Sequence, residues 1–349
     1  YMVRFTTLLS CLLWLAACKT TQIASNDSND KKATKDTADF IIAFGSCNKA
    51  NEENVFWDDI LNENPDVWIW GGDNIYADTE DMQKMEAMYQ EQKNIPDYKA
   101  LSTKVPIIGT WDDHDYGAND AGREFSKREK SQQLFLDFFD VPQTDPRRER
   151  EGVHASRTLE FDKGSAKVIT LDTRYFRSGL EKDPSPKRRY KVNLDDDTTI
   201  LGDVQWKWLE DELLTSKADF NIMVTSIQFL SWEHGFETWG NYPKEVDRMK
   251  QLLVQTQANR VIFLSGDRHI SEFSKTDIEG LNHPLWDFTS SGLTHSYEAF
   301  KGEPNQYRMG DVVFVPSYGV VRLNFENFKV SFKIMGENGR ILQEVVQSY

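Results

Sequence analysis

Cysteine is scarce in this chain, with three in 349 residues: Cys11, Cys18 and Cys47. None of them shows the close Cys and His spacing of a structural zinc site. The glycine-rich lysine loop of P-loop nucleotide enzymes is missing, as is a Gly-x-Ser-x-Gly elbow, which excludes both devices. Positive charge is also short. Lys and Arg number 41 against 56 Asp and Glu, a net charge of −15 that argues against a nucleic-acid-binding surface. Internal repeats and a second linker are absent, so a single-domain monomer is the expectation. What is present suffices for one large α/β core, since 39% of the residues are hydrophobic.

The apolar run over residues 8–17 is too short to span a bilayer as a mature helix. Arg4 precedes it and Leu15-Ala16-Ala17-Cys18 closes it, a pattern that resembles a bacterial lipoprotein signal with lipid added to Cys18. Residues 1–17 then form a signal peptide, and residues 18–39, rich in Thr, Ser, Asn, Asp and Lys, a flexible tether. Residues 40–349 form the folded domain. So read, the protein is exported, periplasmic or at the cell surface, and held to a membrane through Cys18. Cys11 leaves with the signal, so Cys47 is the one thiol of the mature domain and no internal disulfide is available. An exported free thiol needs burial or a metal bond to persist, and both readings of Cys47 stand at this point.

Strand and helix patterns alternate downstream. Runs at 40–44, 67–70, 105–111, 168–172, 221–226 and 261–264 read as buried strands. Stretches 54–62, 81–92, 123–139, 202–216 and 243–256 read as helices, from spacings such as Trp206, Leu209 and Leu213. Late in the chain, alternation at 320–325, 328–334 and 341–346 around Glu326-Asn327 and Asn338-Gly339 predicts antiparallel hairpins. The charged stretch 181–197 reads as a surface loop, either a plain excursion or a substrate contact.

The chemistry gathers at strand ends. Asp73-Asn74-Ile75-Tyr76, Asp112-Asp113-His114-Asp115 and Asp267-Arg268-His269 each follow an apolar run, and ligands in α/β sheets collect at the carboxyl ends of strands. Three carboxylate loops at one sheet edge repel one another unless a cation offsets the charge. With no side-chain nucleophile motif, a metal-activated water is the expected nucleophile. Together with Gly45-Ser46-Cys47 and Leu171-Asp172-Thr173-Arg174, these motifs in this order resemble the alkaline phosphatase D (PhoD-like) family of calcineurin-like metallophosphoesterases, over residues 40–289.

That resemblance implies an α/β fold, a four-layer α/β/β/α sandwich, here with a C-terminal antiparallel hairpin region. It implies an exported hydrolase of organic phosphate esters, cleaving monoesters or diesters by attack of a metal-bound hydroxide. It also implies an iron held by Cys47, Asp73, Tyr76 and Asp267, with calcium nearby. Phenolate and thiolate suit ferric iron, and carboxylate, amide and water oxygens suit calcium, with a generic divalent pair as the fallback. By the same resemblance, Asp113 stands at a metal-binding position that is usually Asn, and His114 at the adjoining His that stabilises transition-state charge.

Other residues keep two readings each. Asn119 adds an amide oxygen to the calcium or serves a turn. Asp267 and His269 alternate about Arg268, so both can face the metals. Arg174 holds a phosphate oxygen or pairs with Asp172 or another neighbour. The aromatic stretch 229–239 walls the substrate or packs on the fold. Of His154, His283 and His295, the last, after Ser290-Ser291-Gly292, is the one with reason to approach the site. The sequence lacks the Asp-x-His and late Gly-His-x-His of generic metallophosphoesterases, which disfavours a zinc or manganese pair. A rival reading is a lipid-anchored, calcium-dependent protein that binds glycans or surfaces. Such a site has no use for Cys47 and Tyr76.

Overall fold

The computed structural model describes residues 38–349. The expected signal peptide, the lipidation site Cys18 and the tether as far as residue 37 lie outside the described residues. Asp39, expected in the tether, already belongs to the fold. Its amide donates to the Leu323 carbonyl at 2.8 Å, and its carboxylate accepts from the Phe325 amide at 3.0 Å. Among the described residues no helix is long and apolar enough to cross a membrane.

In chain order the elements are β1 (Phe40–Gly45), α1 (Trp57–Asn62), β2 (Val67–Gly71), α2 (Met82–Asn94), α3 (Pro96–Lys104), β3 (Ile107–Thr110) and α4 (Asp113–Tyr116). Then come α5 (Arg128–Phe138), β4 (Ala155–Phe161), β5 (Gly164–Thr170), α6 (Gly202–Thr215), β6 (Phe220–Val224), α7 (Pro243–Thr256) and β7 (Val261–Ser265). The chain closes with β8 (Ser271–Thr276), β9 (Leu285–Ser290), β10 (Arg308–Val313), β11 (Tyr318–Asn324), β12 (Lys329–Gly336) and β13 (Arg340–Ser348).

The strands form two sheets, one ordered β13-β12-β11-β1-β2-β3 and the other β10-β8-β9-β7-β6-β5-β4. Within them β1, β2 and β3 run parallel, as do β5, β6, β7 and β9. Side chains from both sheets, among them Phe44, Ile69, Val224, Leu264, Phe288 and Phe332, interdigitate in one buried core. Helices α6 and α7 cover the outer face of the second sheet through Trp206, Leu209, Met249 and Leu253. On the outer face of the first, Trp57, Tyr89 and Tyr98 pack over Trp68 and Trp70. The four-layer arrangement follows from strands such as Val67–Gly71, in which every residue is buried and both faces need a partner layer.

Local differences from the sequence reading have local causes. Helix α1 begins at Trp57 instead of residue 54, because the Asn54 side chain accepts the Phe56 amide at 3.0 Å and holds a turn. Residues 123–127 stay outside α5, where Phe125 packs against Gly117 and the Tyr116 ring. Helix α3 was not expected. Pro96 opens it at its first turn, while Ile95 takes the extended backbone usual before proline and so ends α2. Strands β4, β8, β9 and β10 were also not read. The hairpins do form, but as part of the first sheet, because β11 pairs antiparallel with β1 from Phe40↔Leu323 to Phe44↔Gly319.

Candidate metal centre

The loops after β1, β2, β3, β7 and β9 converge at one edge where the two sheets meet. Two glycines permit the approach. A side chain at Gly266 would place its first carbon 2.5 Å from Ser46 Oγ and 2.8 Å from the Gly71 carbonyl. At Gly72, with φ of +102°, it would lie 2.6 Å from the Asp112 Cβ. Cross-sheet bonds then lock the floor. Ser46 Oγ donates to the Ser290 carbonyl at 3.1 Å, and Thr110 Oγ1 to the Leu171 carbonyl at 2.6 Å.

This geometry brings the expected ligands together. Cys47 Sγ lies 3.2 Å from Asp73 Oδ2 and 3.0 Å from Ser291 Oγ. The Tyr76 hydroxyl is 3.3 Å from the same Asp73 oxygen and 2.9 Å from His269 Nε2. Donor atoms of Cys47, Asp73 and His269 all fall within 4.8 Å of one another, as do those of Asp73, Asp113 and His114, and those of Asp112, Asp113 and Asp267. Asp73 therefore joins two clusters and Asp113 joins three, the third with Asp120 and Glu237, the arrangement that lets carboxylates bridge neighbouring cations. Asp267, expected beside Cys47, groups with Asp112 and Asp113, and His269 takes the place nearer the thiol.

Backbone strain marks the same residues. Cys47, Asp73, Asp267 and His269 have φ of 59°, 49°, 67° and 55°. The left-handed conformation costs roughly 1–2 kcal/mol for each residue with a Cβ. Four such residues in one pocket are a cost that the strand ends impose in order to aim the donors inward.

The donors are also crowded enough to disfavour their own ionisation. Burial above all, with Cys47 and the neighbouring carboxylates, drives Asp73 well above the usual carboxylate range, and burial with Asp112 and Asp113 does the same to Asp267. Burial raises the Cys47 thiol to about 11. For Asp113 burial is outweighed by Arg174, His114 and the Asp120 amide, and its pKa falls. His114 goes up to about 11, because Asp73, Asp78 and Asp113 together overcome its burial. Among the described residues the Asp267 carboxylate accepts no hydrogen bond. A thiol, a phenol, an imidazole and bridging carboxylates fit a cation pair of mixed hardness, with the soft donor at one end and oxygen donors at the other.

A cavity of about 280 Å³ opens over this cluster, lined by Asp113, His114, Asn119, Asp120, Arg189, Phe236, Glu237, Asp267, Arg268, His269 and Tyr297. Asn119 thus faces the pocket. Its neighbour Asp120 is the residue whose amide donates to Asp113 Oδ2, at 2.5 Å. His114 stacks on Tyr76 with ring centroids 4.2 Å apart, and its Nδ1 meets Asp78 at 2.7 Å. His295 does approach, 4.5 Å from the His269 ring, whereas His154 and His283 pack elsewhere, beside Trp208 and Tyr349.

Arg174 is placed differently from a phosphate clamp. It is wholly buried, its guanidinium bonded to Asp112 through Nε at 2.5 Å and to Glu237 through Nη1 at 2.8 Å. Asp112 also accepts from Ser226. Arg174 therefore organises the acidic layer beneath the pocket, which is the ion-pairing alternative with different partners. The aromatic stretch 229–239 divides: Phe229 and Trp239 are core, whereas Phe236 and Glu237 reach the pocket. Sequence reasoning gave no role to Asp120, Glu237, Arg189, Arg268 and Ser291, although Arg189 lay in the charged loop, Glu237 in the aromatic stretch, Arg268 between Asp267 and His269, and Ser291 upstream of His295.

The chain matches the PhoD-like phosphatase family over residues 42–314. It is similar to alkaline phosphatase D of Bacillus subtilis, 24% identical over 216 residues that span 57% of this chain and 36% of that protein. The chain thus aligns with about a third of that relative's length. A solved structure of PhoD superposes with a TM-score of 0.69 at 18% identity, covering 89% of this chain and 69% of the other. A dimetal phosphatase from Danio rerio superposes with a TM-score of 0.53 at 12% identity, covering 90% of this chain and 100% of the other.

Proposed function

The chain belongs to the PhoD-like phosphatase family, and from that premise we propose that it is a metal-dependent hydrolase of phosphate esters. The observation that carries this reading is the convergence of Cys47, Tyr76 and His269 on Asp73, with Asp113 and Asp267 alongside. The thiol and phenol favour iron at the Cys47 end, and the all-oxygen Asp113 end favours calcium. Cations bound there supply Lewis acidity toward the phosphoryl oxygens and acidify a water.

The protein's own residues do the positioning. Asp73, through its two oxygens, is shared by both donor clusters. His114, tied at Nδ1 to Asp78 and stacked on Tyr76, is left with Nε2 to donate to a phosphoryl oxygen as charge builds there. Its charged neighbours favour the protonated ring, the state in which it can donate. Arg174 and Arg177 hold Glu237 and Asp112 fixed beneath the pocket, so the acidic floor keeps its shape when ligands exchange. The rival reading as a calcium-dependent binding protein gives no role to the thiol and phenol at one end of the site. The Leu15-Ala16-Ala17-Cys18 pattern supports the further reading that the enzyme is exported and anchored through Cys18.

The test is metal analysis and a visible spectrum of the purified protein, together with steady-state hydrolysis of p-nitrophenyl phosphate and bis-p-nitrophenyl phosphate. Iron in the protein, a visible band and turnover of either ester that is lost on chelation are expected. A colourless, iron-free protein that hydrolyses neither ester after metal reconstitution would overturn the reading.

A further inference from the structure

Two arginines line the pocket, and they are held in opposite ways. Arg268 is committed: its guanidinium bonds both oxygens of Glu303, at 3.0 and 2.8 Å, and lies over the Phe236 ring at 4.3 Å, with a side chain 7% exposed. Arg189 has a side chain 50% exposed and a single ion pair, Nη2 to Asp120 Oδ2 at 2.6 Å. Its backbone is the fixed part. The amides of Arg189 and Tyr190 both donate to the Gly235 carbonyl, at 2.9 and 3.0 Å, and the Arg189 carbonyl accepts from Asp183 at 3.1 Å. The Tyr190 hydroxyl donates to Asp120 at 2.6 Å, so Asp120 keeps a partner if Arg189 leaves it.

We propose that Arg189 is a substrate-binding residue that selects dianionic phosphomonoesters over monoanionic diesters, by exchanging its ion pair with Asp120 for a phosphoryl oxygen in the pocket. The inference rests on the phosphate-ester reading of this site and adds the substrate class to it. The geometry favours the exchange. Asp120 shares a cluster of donor atoms within 4.8 Å with Asp113 and Glu237, so the guanidinium is anchored one carboxylate away from a candidate metal ligand. A phosphomonoester dianion has three non-bridging oxygens, whereas a diester has two and one charge fewer, so esterification removes both a charge and an acceptor that the guanidinium fork could use. The other arginines near the site, Arg174 and Arg177, are wholly buried around Glu237 and have no such freedom.

The experiment compares the metal-loaded wild-type protein with Arg189→Gln, Arg189→Lys and Arg188→Gln on p-nitrophenyl phosphate and bis-p-nitrophenyl phosphate, with inorganic phosphate as competitive inhibitor. Arg188→Gln removes the same charge one residue away, at a side chain that does not line the pocket. Arg189→Gln is expected to lower monoester kcat/KM by about 10- to 100-fold, mainly through KM, the loss of a hydrogen bond to a charged group. It should change the diester by less than about threefold on the same grounds, and weaken phosphate inhibition in parallel with the monoester. Arg189→Lys should fall between, and Arg188→Gln should keep the wild-type ratio. Equal losses on both esters, or an unchanged phosphate inhibition constant in Arg189→Gln, would overturn the proposal while leaving the phosphohydrolase reading intact. Absence of turnover in the wild-type protein would instead remove that reading and this inference with it. Thermal melts of the variants separate a folding defect from a binding defect, and Arg189→Lys supplies the test if Arg189→Gln does not fold.

Discussion

His269 Nε2 lies 2.9 Å from the phenolic oxygen of Tyr76, although 193 residues separate them in the chain. The contact joins the loop after β2 in one sheet to the loop after β7 in the other, across the position where the thiol and the Asp73 carboxylate also meet. If a cation is held at this position, Tyr76 and His269 would exchange this hydrogen bond for bonds to it, and both residues should then report on the same metal.

Tyr76→Phe and Cys47→Ala are each expected to bleach the visible band of the metal-loaded protein, and Asp73→Asn to lower turnover by ~100-fold or more, beyond the 10- to 100-fold typical of residues that only support ligands. Absorption spectra, metal content and circular dichroism on the same samples make the check. Retained colour in Tyr76→Phe with full metal content would remove the phenol from the ligand set.

Chelation should give the stability curve a different slope with pH. In the metal-free protein burial raises Asp112 to about 7 and Asp115 to about 8. These carboxyls bind more protons folded than unfolded between the normal carboxylate range and those values, so stability falls as pH rises through that window. His114, raised to about 11, works in the same direction above its unfolded value, because its contribution is lost as pH climbs toward the folded one. His269, lowered to about 3 by burial and by His295 and His114, acts oppositely, but only below its unfolded value near neutrality. Melting temperatures of the chelated protein should therefore decline from pH 6.5 to 8, with those limits rough. The metal-loaded curve should be flatter, and parallel curves would contradict the argument.

Arg174→Met should cost stability in preference to affinity. Removing the guanidinium leaves Asp112 without its buried cation and Glu237 with Arg177 alone, a loss of about 3–5 kcal/mol for a broken buried pair. Urea denaturation should register it, or the variant should fail to accumulate. A stable variant with raised KM and unchanged denaturation midpoint would return Arg174 to the role of phosphate clamp.

Gly266→Ala probes how closely the sheets must meet. Its added carbon would press on Ser46 Oγ and on the backbone carbonyl of Gly71, and the backbone cannot rotate away. A destabilisation of about 1–3 kcal/mol is expected, together with loss of metal affinity, since Cys47 lies one residue after Ser46 and Asp73 two residues after Gly71. Isothermal metal titration and a denaturation curve measure both.

The parts of this site that were legible in the sequence are those where a strand ends in a short polar motif. The runs before Cys47, Asp73, Asp113 and Asp267 are largely apolar, so both the strand and its end could be placed, and the antiparallel hairpins announced themselves by alternation. Glu237 gave no such signal. Glu237 sits in an irregular aromatic loop, and its meaning depends on Arg174 and Arg177, which arrive from β5's following turn. Edge strand β4 carries mostly exposed polar residues, and β8 and β9 interleave hydroxyl and charged side chains with apolar ones because they bond across the site, so neither period stood out. The partners of Arg174, read as Asp172 or another neighbour, failed to emerge for a related reason: a sequence gives the charge of a residue and not the direction from which its partners come.

The pairing of β1 with β11 sets an order of events. Strand β1 leads into Cys47, yet one of its two neighbours begins at Tyr318, and the serine that contacts the thiol lies 244 residues further on. Such distant contacts are late contacts in folding. During synthesis, Cys47 and Asp73 emerge long before Asp267, His269 and Ser291, so no complete coordination sphere exists on a ribosome-bound chain until nearly the whole domain is made. On the proposed reading, cation loading would be a finishing step, and the ions would come from whichever compartment holds the chain when its last hairpin docks.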